Sequence, residues 1–156
     1  MIEAAKLAIV IALLCTAVIY GTDVFCAVVQ RPAVAAIDDR ALVAVMGNVH
    51  RYGDRRLPVP GVIGIAAASV GAVLAASAGR WPEAIAAATA VALLLIWLGL
   101  YARISAPINR QLSAAATAGD TPVNARALQQ EWDRIINARA IIQGAAVAAL
   151  CLALVM

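Results

Sequence analysis

The sequence predicts an all-α integral membrane protein: a four-helix bundle with one extra amphipathic surface helix after the first span. Three observations lead there. Of 156 residues, 64% are hydrophobic and 13% charged, where a soluble domain is nearer half apolar and a quarter charged. The mean hydropathy is +0.89. Apolar stretches approaching or exceeding the ~20 residues needed to cross hydrocarbon recur four times between short polar segments. Much of the apolar content is alanine, which suits helices that pack closely.

The chain reads as a single membrane domain, residues 1–156. The first span covers residues 4–29. It places Asp23, Cys26 and Gln30 on one face at helical spacing, and Pro32 is expected to end it. An ionisable side chain within a span is costly unless it faces other helices or a wet cavity, which singles out Asp23. Residues 33–52 form the surface helix, with Ile37, Ala41, Val45 and Val49 in one apolar line and Asp38, Asp39, Arg40, His50 and Arg51 off it. Gly47-Asn48 is a candidate break, and Tyr52–Arg56 reads as a charged turn.

The second span is 57–78, opened by Pro58 and Pro60. Its Gly64, Ala68, Gly71 and Ala75 give small residues at three- and four-residue steps, the pattern that lets helices approach in lipid. A short link containing Trp81 turns the chain into the third span, 83–104, so these two form an antiparallel hairpin. Pro107 predicts a kink or stop, and 113–120 a loop. Thr121-Pro122 looks like an N-cap and first helical position for the fourth helix, 122–156. That helix starts amphipathic and ends apolar, with Ala140, Gly144 and Ala148 as a second small-residue stripe.

Eleven arginines and one lysine give a net charge of +3. They fall between apolar runs, so they read as topology and site residues, and nucleic acid is not an expected partner. Lys6 and Arg80 lie on the side of the termini and the other ten on the opposite side. The positive-inside rule then places both termini outside, in a bacterial-type plasma membrane. Cys15, Cys26 and Cys151 form no close pair, and His50 is the only histidine. No metal and no other cofactor is therefore expected. Phosphate loops, nucleophile elbows and nucleotide fingerprints are also lacking.

The polar ends of these elements fall on one side, where Asp23, Gln30, His50, Arg103, Asn109, Trp132, Asn137 and Arg139 can converge. Each has two readings. Asp23 either pairs with an arginine to fix helix register or acts as an acid or base. His50 is solvated or is a base. Arg103 and Arg139 anchor at the membrane edge or bind an anion. Asn109 and Asn137 link helices or touch substrate. Trp132 is an anchor or a stacking surface.

Gly21…Phe25…Pro32, then Pro107-Ile108-Asn109…Leu112, then Trp132…Asn137-Ala138-Arg139 resemble a family of small four-helix membrane proteins of largely unknown function. That family includes the anthrone oxygenases. The resemblance runs over nearly the whole chain in order and spacing, although a histidine that some members carry near Asn137 is absent. It implies a helical bundle with a polar site at one membrane face.

Two functional classes follow. One is a cofactor-independent oxygenase or oxidase acting on a hydrophobic phenolic substrate. Its catalytic base would be Asp23 or His50, and Gln30, Arg103, Asn109, Trp132, Asn137 and Arg139 would bind substrate. The other is a non-enzymatic membrane component, either an accessory subunit or a bundle that binds lipid or quinone. Expected partners are membrane lipid and a hydrophobic small molecule, with a homo-oligomer or larger membrane complex left open.

Overall fold

A computed structural model describes all 156 residues and contains helices only. Four helices are long and apolar enough to cross a membrane: Ile2–Ala35, Pro58–Ser77, Trp81–Ala118 and Ala125–Val155. We label the segments α1 (Ile2–Phe25), α2 (Arg31–Ala35), α3 (Asp39–Arg56), α4 (Pro58–Ser77), α5 (Trp81–Leu100), α6 (Ala106–Ala118) and α7 (Ala125–Val155). In the apolar half α1 packs on α4 and α7, and α5 packs on α4 and α7, a closed ring of four. In the other half α3 lies mainly against α6.

Neither Pro32 nor Pro107 ends its helix. Each lies two residues beyond a five-residue π-helical turn, Cys26–Gln30 or Tyr101–Ser105. There the N–H of Arg31 reaches back five residues to the Cys26 carbonyl, and that of Ala106 to Tyr101. A proline ring collides with the carbonyl four residues earlier and offers no donor. Widening the preceding turn moves that carbonyl aside, so α1 runs on into α2 and α5 into α6.

Other expected boundaries shift for similar local reasons. Ala33–Ala35 belong to the continued first helix, and the extra helix proper starts at Asp39, capped by Asp38 Oδ1 accepting from the Ala41 N–H at 2.8 Å. Gly47-Asn48 does not break it, and Tyr52–Arg56 is its last turn. Residues 113–118 are helical, and α6 stops at Gly119, whose φ of 73° suits glycine. Thr121 is no N-cap: Pro122 accepts from the Ala125 N–H, and α7 begins at Ala125. Arg126 at that start donates to the Val34 and Ile37 carbonyls and to Asp39, fastening α7 to the end of α2 and the start of α3.

The small-residue stripe of α4 is used inside the chain. Gly64, Ala68, Gly71 and Ala75 are buried. A Cβ added at Gly64 would lie 3.3 Å from Thr16 Oγ1, and at Gly71 2.7 Å from Ile9 Cγ1. Gly144 on α7 meets the Tyr20 ring in the same way. Close backbone approach lets alanine-sized side chains fill the contact.

Two apolar cores result. One gathers Ile9 and Ala12, Ala68, Ala87 and Leu94, and Ala146 and Leu150. The other gathers Cys26, Val34, Leu42, Met46, Ile108, Leu112, Trp132 and Ile136. Along each long helix that reaches both, a polar stretch separates them: Asp23 on α1, Ser105 after α5, Arg139 and Gln143 on α7, all buried.

Candidate functional site

Asp23 lies between the two cores with both carboxylate oxygens engaged. Oδ1 accepts from Arg139 Nη2 at 2.6 Å, and Oδ2 from Trp97 Nε1 at 2.7 Å. Both members of the ion pair are at most 7% exposed. Arg139 Nη1 donates to Ser105 Oγ at 2.8 Å. Its guanidinium carbon sits 5.3 Å from the Trp97 ring centre, 5.8 Å from Tyr101 and 5.4 Å from Trp132. Three aromatic faces and one carboxylate thus hold the buried cation.

A cavity of about 170 Å³ opens beside this pair. A cavity of ~150 Å³ holds a benzene ring. Asp23, Gln30, His50, Asp54, Trp97, Tyr101, Asn109, Trp132 and Arg139 supply its polar and aromatic walls, and Ile19, Val49, Val62, Ile65 and Leu98 its apolar side. Val62, Val49 and Leu98 are also exposed outside, so that side reaches the apolar surface of the helices. Gly61 borders the cavity, and an added Cβ there meets nothing within 4 Å.

A second hydrogen-bonded group faces the ion pair. Asp54 Oδ1 accepts from Tyr101 Oη and from Asn109 Nδ2, each at 2.8 Å. His50, one turn earlier on α3, lies against Trp132 with ring centres 5.4 Å apart. Gln30 receives the Cys26 thiol at 2.7 Å and donates to Met46 Sδ at 2.9 Å.

Eight buried side-chain polar atoms have no hydrogen-bond partner, and four belong to residues lining this cavity: His50 Nε2, Asn109 Oδ1, Trp132 Nε1 and Arg139 Nε. Buried polar groups are nearly always paired, so this clustering marks a place where partners come from a bound molecule or from solvent. Burial, assisted by the charge of Arg139 and opposed by Asp54, pushes His50 down to about 4. The imidazole is therefore neutral at pH 7. No three His, Cys, Asp or Glu side chains gather as a metal-binding set.

Six of the eight residues singled out from sequence meet here: Asp23, Gln30, His50, Asn109, Trp132 and Arg139. Arg103 and Asn137 do not. Both are exposed and lie away from the cavity. Arg103 sits within the π turn, and Asn137 falls two residues short of Arg139 on α7, on another face. His50 is buried against Trp132 and not solvated. Trp97, Tyr101, Ser105 and Asp54 were missed, although the first three continue with Asn109 at four-residue steps. In an unbroken α-helix three such steps drift by about 120°, and one inserted residue takes back about 100°. The π turn therefore keeps Trp97, Tyr101, Ser105 and Asn109 near one face.

Searches against family models, curated proteins and solved structures return no match for this chain.

Proposed function

We propose that the chain is an integral membrane four-helix bundle, α3 lying at one membrane face, that takes a hydrophobic phenolic molecule from the bilayer and oxidises it with molecular oxygen. The observation that carries this reading is the cavity itself: lined by apolar side chains that also reach the outer surface of the helices, by aromatic rings, and by four residues that each hold an unpartnered buried polar atom. The similarity to anthrone oxygenases supplies the reaction class. Lys6 and Arg80 against ten arginines at the other end support a topology with both termini outside the cytoplasm of a bacterial-type cell.

In this mechanism His50 is the base, because both oxygens of Asp23 are already engaged. A methylene carbon activated by neighbouring aromatic rings and a carbonyl loses a proton to the neutral imidazole. The carbanion reduces oxygen and forms a carbon–oxygen bond, giving a hydroperoxide. Loss of the second carbon-bound proton with cleavage of the O–O bond leaves a ketone and water, so CH2 and O2 become C=O and H2O. Trp132 Nε1 and Arg139 Nε donate to the oxygen on which negative charge collects. Asp23 acts as a positioning residue that fixes Arg139.

The purified protein is expected to consume oxygen with a hydroxyanthrone, and His50→Gln to lower kcat/KM by roughly 10²–10⁴-fold. The acid limb of kcat/KM should fall near pH 4 and not near the ordinary 6.5, because the free protein protonates His50 only there. Stability follows the same sign. The unfolded chain takes up this proton near 6.5 and the folded chain near 4. The contribution is complete above 6.5 and lost as pH falls to 4, about 3 kcal/mol in all. No oxygen uptake by the unaltered protein would rule out this chemistry.

Gly61→Leu adds bulk at the border of the cavity, where a Cβ meets nothing within 4 Å. It should weaken ligand binding at least about tenfold while leaving thermal stability near that of the parent. Unchanged binding would place the ligand elsewhere.

The apolar lining of the cavity, with a histidine that burial weakens as a base, favours a second reading, a bundle that binds lipid or quinone without turnover. Tight binding without oxygen uptake would select it.

A further inference from the structure

The Asn109 amide can face only one way. Its Nδ2 donates to Asp54 Oδ1 at 2.8 Å, and a flipped amide would set two oxygens against each other. Asp54 is itself held by the Tyr101 hydroxyl at 2.8 Å. The free end of Asn109 is therefore Oδ1. It is buried, has no partner, and belongs to a residue that is 3% exposed and lines the cavity. A carbonyl oxygen only accepts. On the same walls Trp132 Nε1 and Arg139 Nε only donate.

We propose that Asp54 and Asn109 read a hydroxyl hydrogen on the ligand: the site takes an aromatic hydroxyl, whose oxygen accepts from Trp132 or Arg139 and whose hydrogen goes to Asn109 Oδ1. This deepens the reading of the cavity as a site for a hydrophobic phenol and rests on it. An aryl ether or a quinone of the same ring system brings acceptors alone. It satisfies the two donors but leaves Asn109 Oδ1 buried without a partner or opposed by another oxygen. A buried acceptor left unpaired costs enough to weaken binding roughly 10–100-fold. Sites built to bond a hydroxyl discriminate strongly against analogues that lack it, since the protein group remains stranded. Asp54 is the positioning residue, and Asn109 makes the contact.

The test measures equilibrium binding of 1-naphthol, 1-methoxynaphthalene and 1,4-naphthoquinone to the full chain in detergent micelles, corrected for partition into empty micelles. The expected result is a 10–100-fold preference for 1-naphthol over each of the others. Asn109→Leu should lower the ratio of 1-naphthol to 1-methoxynaphthalene, with the neutral His50 ring as the other acceptor on these walls, while 1-methoxynaphthalene binds as before or better. Asp54→Leu frees the amide to rotate, so the same ratio should fall and 1,4-naphthoquinone should gain. Equal affinity for all three by the unaltered protein overturns the hydroxyl preference alone, and that measurement does not depend on whether either variant folds. An Asn109→Leu protein that keeps the full preference overturns it as well. Binding of none of the three overturns both this inference and the cavity's reading as a ligand site.

Discussion

Arg139→Met is expected to destabilise the folded chain by about 3–5 kcal/mol, the largest loss of any change at the polar layer. The methionine fills much of the same space among Trp97, Tyr101 and Trp132, so the loss is electrostatic and not a cavity effect. It leaves Asp23, 2% exposed, with Trp97 Nε1 as its only donor. Asp23→Asn should cost less. The amide oxygen can still accept from Trp97 or Arg139, and three ring faces remain around the guanidinium. The double change Asp23→Leu with Arg139→Met removes both charges and should recover most of the stability, because apolar packing replaces a buried pair with little penalty. Reversible unfolding in mixed micelles of mild detergent and dodecyl sulfate would measure all of these. Single changes that each cost under about 1 kcal/mol, or costs that simply add in the double variant, would show that the pair is not coupled. Oxygen uptake should be absent in the stable double variant, which separates the structural use of Arg139 from its proposed use at the ligand.

How far the sequence shows the site depends on what each residue's face is set by. Asp23 stands out because a carboxylate within an apolar helix needs a partner, and the interior of a helical bundle is where one is found. Trp132 and Arg139 are seven apart on α7, so an uninterrupted helix keeps them together. Arg103 looks equivalent to Arg139 in type and in its place near a membrane edge, yet it points outward. Its direction is set by the π turn at Tyr101–Ser105, which no hydrophobic period reveals. The same turn brings Tyr101 and Ser105 into line with Trp97 and Asn109. Asp54 and His50 are a different case. They are four apart on a polar helix of mixed charge, and α3 turns them inward only because its Leu42, Val43 and Met46 are buried in the core shared with α6. The four long helices follow from composition and length alone, since hydrocarbon thickness fixes how many apolar residues are needed. Their ends do not, because Pro32 and Pro107 are absorbed by wider turns.

Gly47→Ala is expected to destabilise the chain by about 1–3 kcal/mol, opposite in sign to the effect of the same change in an ordinary helix. In the middle of a helix alanine is better than glycine by roughly 0.5–1 kcal/mol. At Gly47 an added Cβ would fall 2.4 Å from the Leu112 carbonyl oxygen and 2.4 Å from Ala116 Cβ, both on α6. A backbone oxygen cannot swing aside as a side-chain tip can, so α3 and α6 must separate. The Ser113 hydroxyl, which donates to the Gly47 carbonyl at 3.0 Å, would be strained in the same movement. The consequence reaches the cavity, because α3 carries His50 and Asp54 while α6 carries Asn109. Parting them stretches the 2.8 Å bond between Asp54 and Asn109 that orients the amide. Gly99→Ala supplies the control: it lies on α5, where an added Cβ meets nothing within 4 Å, and it should be neutral or slightly stabilising. Ala116→Gly in the Gly47→Ala background removes one of the two obstacles and should restore only part of the loss. Thermal unfolding in detergent, followed by circular dichroism, would measure each variant. A Gly47→Ala protein as stable as the Gly99→Ala control would mean that α3 does not approach α6 this closely, and the orientation of Asn109 would lose its support.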